Sequence, residues 1–126
     1  MGLFSFGKKS TEKKINWVHI DSIEKLDEML AIALEKPVML FKHSTRCSIS
    51  IMALNGLEQN WELREDDITP CFIDLLKYRE VSNKIEEKTG VLHQSPQAIV
   101  LKNGEVVHQA SHNGIKANLI RKSIIS

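Results

Sequence analysis

The sequence predicts an α/β domain: a mixed sheet of about five strands sandwiched by about four helices. Three observations carry this. Strand-like and helix-like periods alternate along the chain, the pattern of parallel strands joined by right-handed crossover helices. "VMLF" (38–41) is apolar without alternation, as a strand covered on both faces is, and "CFIDLL" (71–76) reads as another short buried-type strand. Asn103-Gly104 divides "PQAIVLKNGEVVHQA" into two strands, the strongest short hairpin signal.

In order along the chain, residues 1–14 read as a loose arm and 15–126 as the folded domain. "NWVHI" has strand character. In "DSIEKLDEMLAIALEK", Ile23, Leu26, Met29, Leu30, Ala33 and Leu34 recur at spacings of three and four and line one helical face. Asp21 is placed to cap that helix, with Glu24 completing a capping box. Pro37 stops it. After the strand "VMLF", Ile51, Leu54, Leu57 and Trp61 give a second helical face, weakened by Gly56. The strand "CFIDLL" follows. "REVSNKIEEKTG" is a polar helix ending at Gly90, a natural C-cap. The Asn-Gly hairpin comes next. A last helix puts Ile115, Leu119, Ile120, Ser123 and Ile124 toward one side.

Composition narrows the class. With 126 residues there is enough chain for one domain with a real core. Apolar residues at 42% and charged residues at 26% are ordinary for a soluble globular protein. A formal net charge of +1 offers nothing to nucleic acid or an anionic membrane. No apolar run has the length of a membrane span. The start "MGLFSFGKKSTEKK" is neither a secretory signal nor, with Phe6 in place of a serine or threonine, a myristoylation site. Two cysteines read as free thiols rather than a disulfide framework, and the expected compartment is the cytosol.

Chemistry concentrates in "FKHSTRCSIS" (41–50). Cys47 falls where a strand ends and a helix begins. Unpaired N–H groups and the helix dipole favour an anion there, which lowers a thiol's pKa from its free value of about 8.5. A fall of about two units would make roughly three quarters of it thiolate at pH 7. Lys42 and Arg46 can add positive potential. Ser44, Thr45, Ser48 and Ser50 offer hydroxyls to the sulfur. The bland alternative is a buried structural cysteine. Ser50 stands three positions after Cys47, where a dithiol enzyme carries its second cysteine.

Over residues 15–126 the chain resembles thioredoxin-fold proteins. The C-x-x-S at Cys47 to Ser50, Pro96 opening a strand, and "LKNGEVVHQ" on the terminal hairpin carry the likeness. "KHSTRCSIS", "HQSPQ" and "ASH" together resemble a narrower group, the monothiol bacilliredoxins of the bacillithiol system. That family usually reads Cys-Pro-Ile-Ser, where this chain has Ser48, and often has an acidic residue where this chain has Gln94. The resemblance implies a cis proline at Pro96, facing the active cysteine. It also implies a monothiol oxidoreductase acting in the cytoplasm as a monomer. Its clients would be S-bacillithiolated proteins, and its co-substrate bacillithiol, a small cysteine-containing glycoside of malate, with no tightly bound cofactor. Cys47 would attack the mixed disulfide and keep the small thiol, because Ser50 cannot expel it.

His43, His93 and His112 lie in these motifs, where they can tune the thiol or meet a substrate carboxylate. Each singly is more often a structural or surface histidine. Ser95 would present backbone groups to an extended substrate. Cys71, read as the start of a strand at the opposite edge of the sheet, is assigned to the core. Asp74 is either a strand-end residue or a buried base. The cysteines and histidines have no recognised metal-ligand spacing. Two other functions stay open. One is a glutaredoxin-like iron–sulfur carrier, although the C-G-F-S pattern is absent. The other is a thioredoxin-like binding module with no redox task.

Overall fold

The computed structural model describes residues 15–125. The expected arm, 1–14, lies outside them. The order is β1 (Val18–His19), α1 (Ile23–Ile32), β2 (Val38–His43), α2 (Ser48–Asn60), β3 (Thr69–Asp74), α3 (Arg79–Thr89), β4 (Gln97–Lys102), β5 (Glu105–Ser111), a 3-10 turn (His112–Gly114) and α4 (Ala117–Ile125). The strands form one five-stranded sheet in the order β1-β3-β2-β4-β5. β1 and β2 run parallel to β3, whereas β4 is antiparallel to both β2 and β5. The predicted element order and mixed sheet are the observed ones.

The pleat divides the core in two. Val38 and Leu40 of β2 join Leu26 and Met29 of α1 and Val81 and Ile85 of α3. Met39 and Phe41 point the other way, to Leu57 of α2 and Ile120 and Ile124 of α4. The hairpin turn has φ of +55° at Asn103 and +80° at Gly104, the conformation that selects Asn-Gly. Gly90 caps α3 at φ +75° and donates its N–H to the Glu86 carbonyl. No described helix is long and apolar enough to cross a membrane.

Several local expectations shift. Ser22, not Asp21, caps α1, its Oγ accepting the Lys25 N–H at 3.1 Å. A cap must stand three residues before that donor, and Asp21 is one too early. The helix stops at Ile32, so Leu34 leaves the buried face and is 64% exposed. On α2, Ile51 is exposed, while Leu57 and Trp61 are buried and Leu54 is half-buried. On α4, Leu119 is exposed because the buried stripe runs through Ala117, Ile120 and Ile124.

Cys71 is the third residue of β3, opposite Leu40, rather than at the sheet's edge. The apolar run had concealed that β3 begins at Thr69. The assignment to the core holds: Cys71 is fully buried, and burial pushes its thiol up to about 12. Both cysteines are free.

Candidate functional site

β2 is two residues longer than its apolar run, and this fixes the site. All six residues from Val38 to His43 are buried. Alternation then sends Lys42 after Val38 and Leu40 to the α1/α3 face, and His43 after Met39 and Phe41 to the α2 face. The two polar neighbours therefore serve different layers.

On the α2 face, the His43 ring packs against Phe41 and Phe72, its centroid 5.2 Å from that of Phe72. Its Nδ1 lies 2.7 Å from Ser50 Oγ. Ser50 is fully buried, and the same oxygen accepts the Ser44 N–H at 3.0 Å. In the Nε2–H tautomer, Nδ1 accepts the Ser50 hydroxyl proton. Burial holds His43 below its ordinary pKa, with the Asp74 carboxylate pulling the other way. Asp74 itself ends β3 and accepts the Lys77 N–H, as a strand-end residue does.

Cys47 is half-buried at the N-cap of α2, in extended backbone. Its N–H donates to the Ser44 carbonyl at 3.2 Å, and its carbonyl accepts the Ile51 N–H at 3.1 Å. Ser44 is thus tied at both ends, to Cys47 and to Ser50. The Ser50 hydroxyl, expected as a donor to the sulfur, is committed to Ser44 and His43 instead. Thr45, Arg46 and Ser48 are exposed around the thiol.

On the opposite face, Lys42 is fully buried and its Nζ lies 3.0 Å from His93 Nδ1. Ser82 Oγ lies 3.3 Å from the same nitrogen. Burial lowers the Lys42 ammonium to about 8, against the pull of Glu86. His93 is lowered by burial first and then by Lys42, with Glu86 opposing. His93 is exposed as a residue, with its Nδ1 within reach of Lys42 and Ser82. The pleat thus carries Lys42, expected to add positive potential near Cys47, to the α3 layer, where its Nζ meets His93.

Pro96 sits at the same edge of the sheet as Cys47. Antiparallel register sets Lys42 opposite Gln97, so the residue before Gln97 lies beside the end of β2. The Ser95–Pro96 bond is cis, as the resemblance implied. Ser95 is half-buried, and the Pro96 carbonyl accepts the His112 N–H at 3.2 Å. His112, at φ +52°, thereby anchors the 3-10 turn to the proline loop.

Sequence reasoning missed Gln97, Ser82 and Glu86. Gln97 is fully buried, and its Nε2 donates to the Leu92 carbonyl at 2.9 Å, holding the loop that carries His93. A glutamine opening the apolar run "QAIVL" was the available signal. Ser82 lies between Val81 and Ile85 on the buried side of α3, a polar residue on an apolar stripe.

The arrangement can present one accessible sulfur, with a hydroxyl one helical turn on that is buried and already bonded. Solved structures agree on the architecture. The chain is similar to a thioredoxin-fold protein put forward as an oxidoreductase, at 29% identity and a TM-score of 0.72, over 84% of this chain and 91% of that one. It is also similar in fold to thioredoxin from Malassezia sympodialis (14% identity, TM-score 0.67) and from Trypanosoma brucei brucei (12%, 0.66). Each of these alignments covers 90% of this chain and 91% of the thioredoxin. The family model of the monothiol bacilliredoxin BrxC matches residues 18–120, and the chain belongs to that family.

Proposed function

We propose that the protein is a monothiol thiol–disulfide oxidoreductase that removes bacillithiol from protein mixed disulfides through Cys47, in cytosolic redox homeostasis. Membership of the family supports a redox role. The observation that carries the finer reading is the pairing of a half-buried Cys47 with a Ser50 that is fully buried and bonded to Ser44 and His43.

The Cys47 thiolate attacks the bacillithiol sulfur of the mixed disulfide. A new S–S bond forms as the old one breaks, and the client leaves as a thiolate that takes a proton from water. Ser50 is no nucleophile toward a disulfide, so the adduct stays until a second, free thiol attacks it. Thr45, Arg46 and Ser48, exposed neighbours of Cys47 in the chain, and Ser95, Pro96 and His112 at the proline loop are the residues assigned to substrate contact. Lys42 and His93 act through the fold of that loop.

Incubation with an S-bacillithiolated client protein tests this. The expected result is release of the client thiol and a matching amount of bacillithiol on Cys47, with no release by Cys47→Ser. Equal release by Cys47→Ser would overturn the reading.

A further inference from the structure

α2 leaves a space between itself and the chain that follows β5. A groove of about 790 Å³ lies there, within the size range of small-ligand pockets. Ile49, Met52 and Gly56 form the α2 wall, and Asn113, Lys116 and Arg121 stand opposite. Ile49 and Asn60 both line it, so it follows α2 for roughly 16 Å at 1.5 Å per residue. One end begins two residues beyond Cys47. His112, also in the lining, hangs from the Pro96 carbonyl. The groove is therefore joined both to the thiol's helix and to the proline loop.

Its two walls differ in chemistry. The α2 wall is apolar and open, with Met52 71% exposed. The facing wall carries two cations, Lys116 and Arg121, and two amides, Asn113 and Asn118. The ion pairs among the described residues, Lys25–Glu28 and Lys84–Glu87, involve neither Lys116 nor Arg121. One carboxylate, Glu62, lines the groove just past Asn60, at the end away from Cys47. Two cations against one carboxylate leave the groove net positive. A small molecule with two carboxylates complements it, its carbon skeleton along the α2 wall and its carboxylates on Lys116 and Arg121.

We propose that this groove binds the carboxylate-bearing part of the small thiol whose sulfur exchanges at Cys47, with Lys116 and Arg121 as the carboxylate contacts. This rests on the reading of Cys47 given above. The malate portion of bacillithiol supplies two carboxylates for the two cations.

The test is the rate at which Cys47 is loaded by two disulfides, followed by intact mass. Bacillithiol disulfide carries the carboxylates, and bis(2-hydroxyethyl) disulfide has none. In each case the Cys47 thiolate takes one half of the disulfide and the other half leaves as a thiolate. Lys116→Gln/Arg121→Gln should slow loading by bacillithiol disulfide about tenfold and leave loading by the neutral disulfide unchanged. Lys116→Arg should keep most of the wild-type rate. Undiminished loading of the double variant by bacillithiol disulfide would overturn the proposal and leave the proposed function standing. So would an equal loss with both disulfides, which would mark a disturbance at Cys47 itself. A wild-type protein that is loaded by the neutral disulfide and not by bacillithiol disulfide would overturn the proposed function, and the groove's role with it.

Discussion

The Nδ1 of His43 lies 2.7 Å from the Oγ of Ser50, and both side chains are buried. Ser50 occupies the position of a second thiol, yet its hydroxyl closes a network within the fold. It accepts the Ser44 N–H, and Ser44 in turn accepts the N–H of Cys47. The residue that makes the cycle monothiol also braces the loop that holds the thiol.

Ser50→Ala should therefore cost stability. It leaves the Ser44 N–H and His43 Nδ1 without their buried partner, a loss of about 1–3 kcal/mol. Urea unfolding measures it. A variant as stable as the wild type would show that the network contributes nothing.

Ser50→Cys should convert the cycle to a dithiol one. Positions 47 and 50 are one helical turn apart on the same side. The new thiol would attack the Cys47 adduct, release the small thiol and close a ring. Mass spectrometry separates the outcomes, since an adduct adds mass and a ring removes two hydrogens. A long-lived adduct on this variant would contradict the placement of residue 50 beside the sulfur.

Lys42 should make stability depend on pH in alkali. Its ordinary value of 10.5 falls to about 8 in the fold. Between those values the unfolded chain holds the extra proton, so this contribution to stability rises with pH. Cys71, raised from 9.0 to about 12, acts in the opposite sense. Comparing wild type with Lys42→Met removes the Cys71 effect, because both proteins carry it. Wild type should gain on the variant from pH 8 to 10 in denaturant titrations. A constant difference would mean that Lys42 keeps its ordinary titration.

The strand and helix order was legible because each element depends on its own residues: period for α1 and α2, Asn103-Gly104 for the hairpin, Gly90 for the end of α3. The missed features depend on distant partners. "VMLF" showed four strand residues, but nothing local announces that Lys42 and His43 continue the strand. Their burial is made possible by His93 and Ser82 on one face and Ser50 on the other, 7 to 51 residues away in sequence. Leu34 and Leu119 matched a helical period but fell outside the buried stripe. For Leu34, α1 ends at Ile32 and closes its last turn with the Leu34, Glu35 and Lys36 N–H groups. Cys47 was visible at its junction. The commitment of the Ser50 hydroxyl was not, since it requires the histidine of the preceding strand to face α2.

In the proposed cycle Cys47 alone exchanges, and it keeps what it takes. Treatment of the folded protein with bacillithiol disulfide, followed by intact-mass and peptide mapping, measures both at once. The expected result is one stable adduct on Cys47, none on Cys71, and complete loss of the adduct with Cys47→Ser. An adduct on Cys71, or a folded Cys47 that stays unmodified, would contradict it.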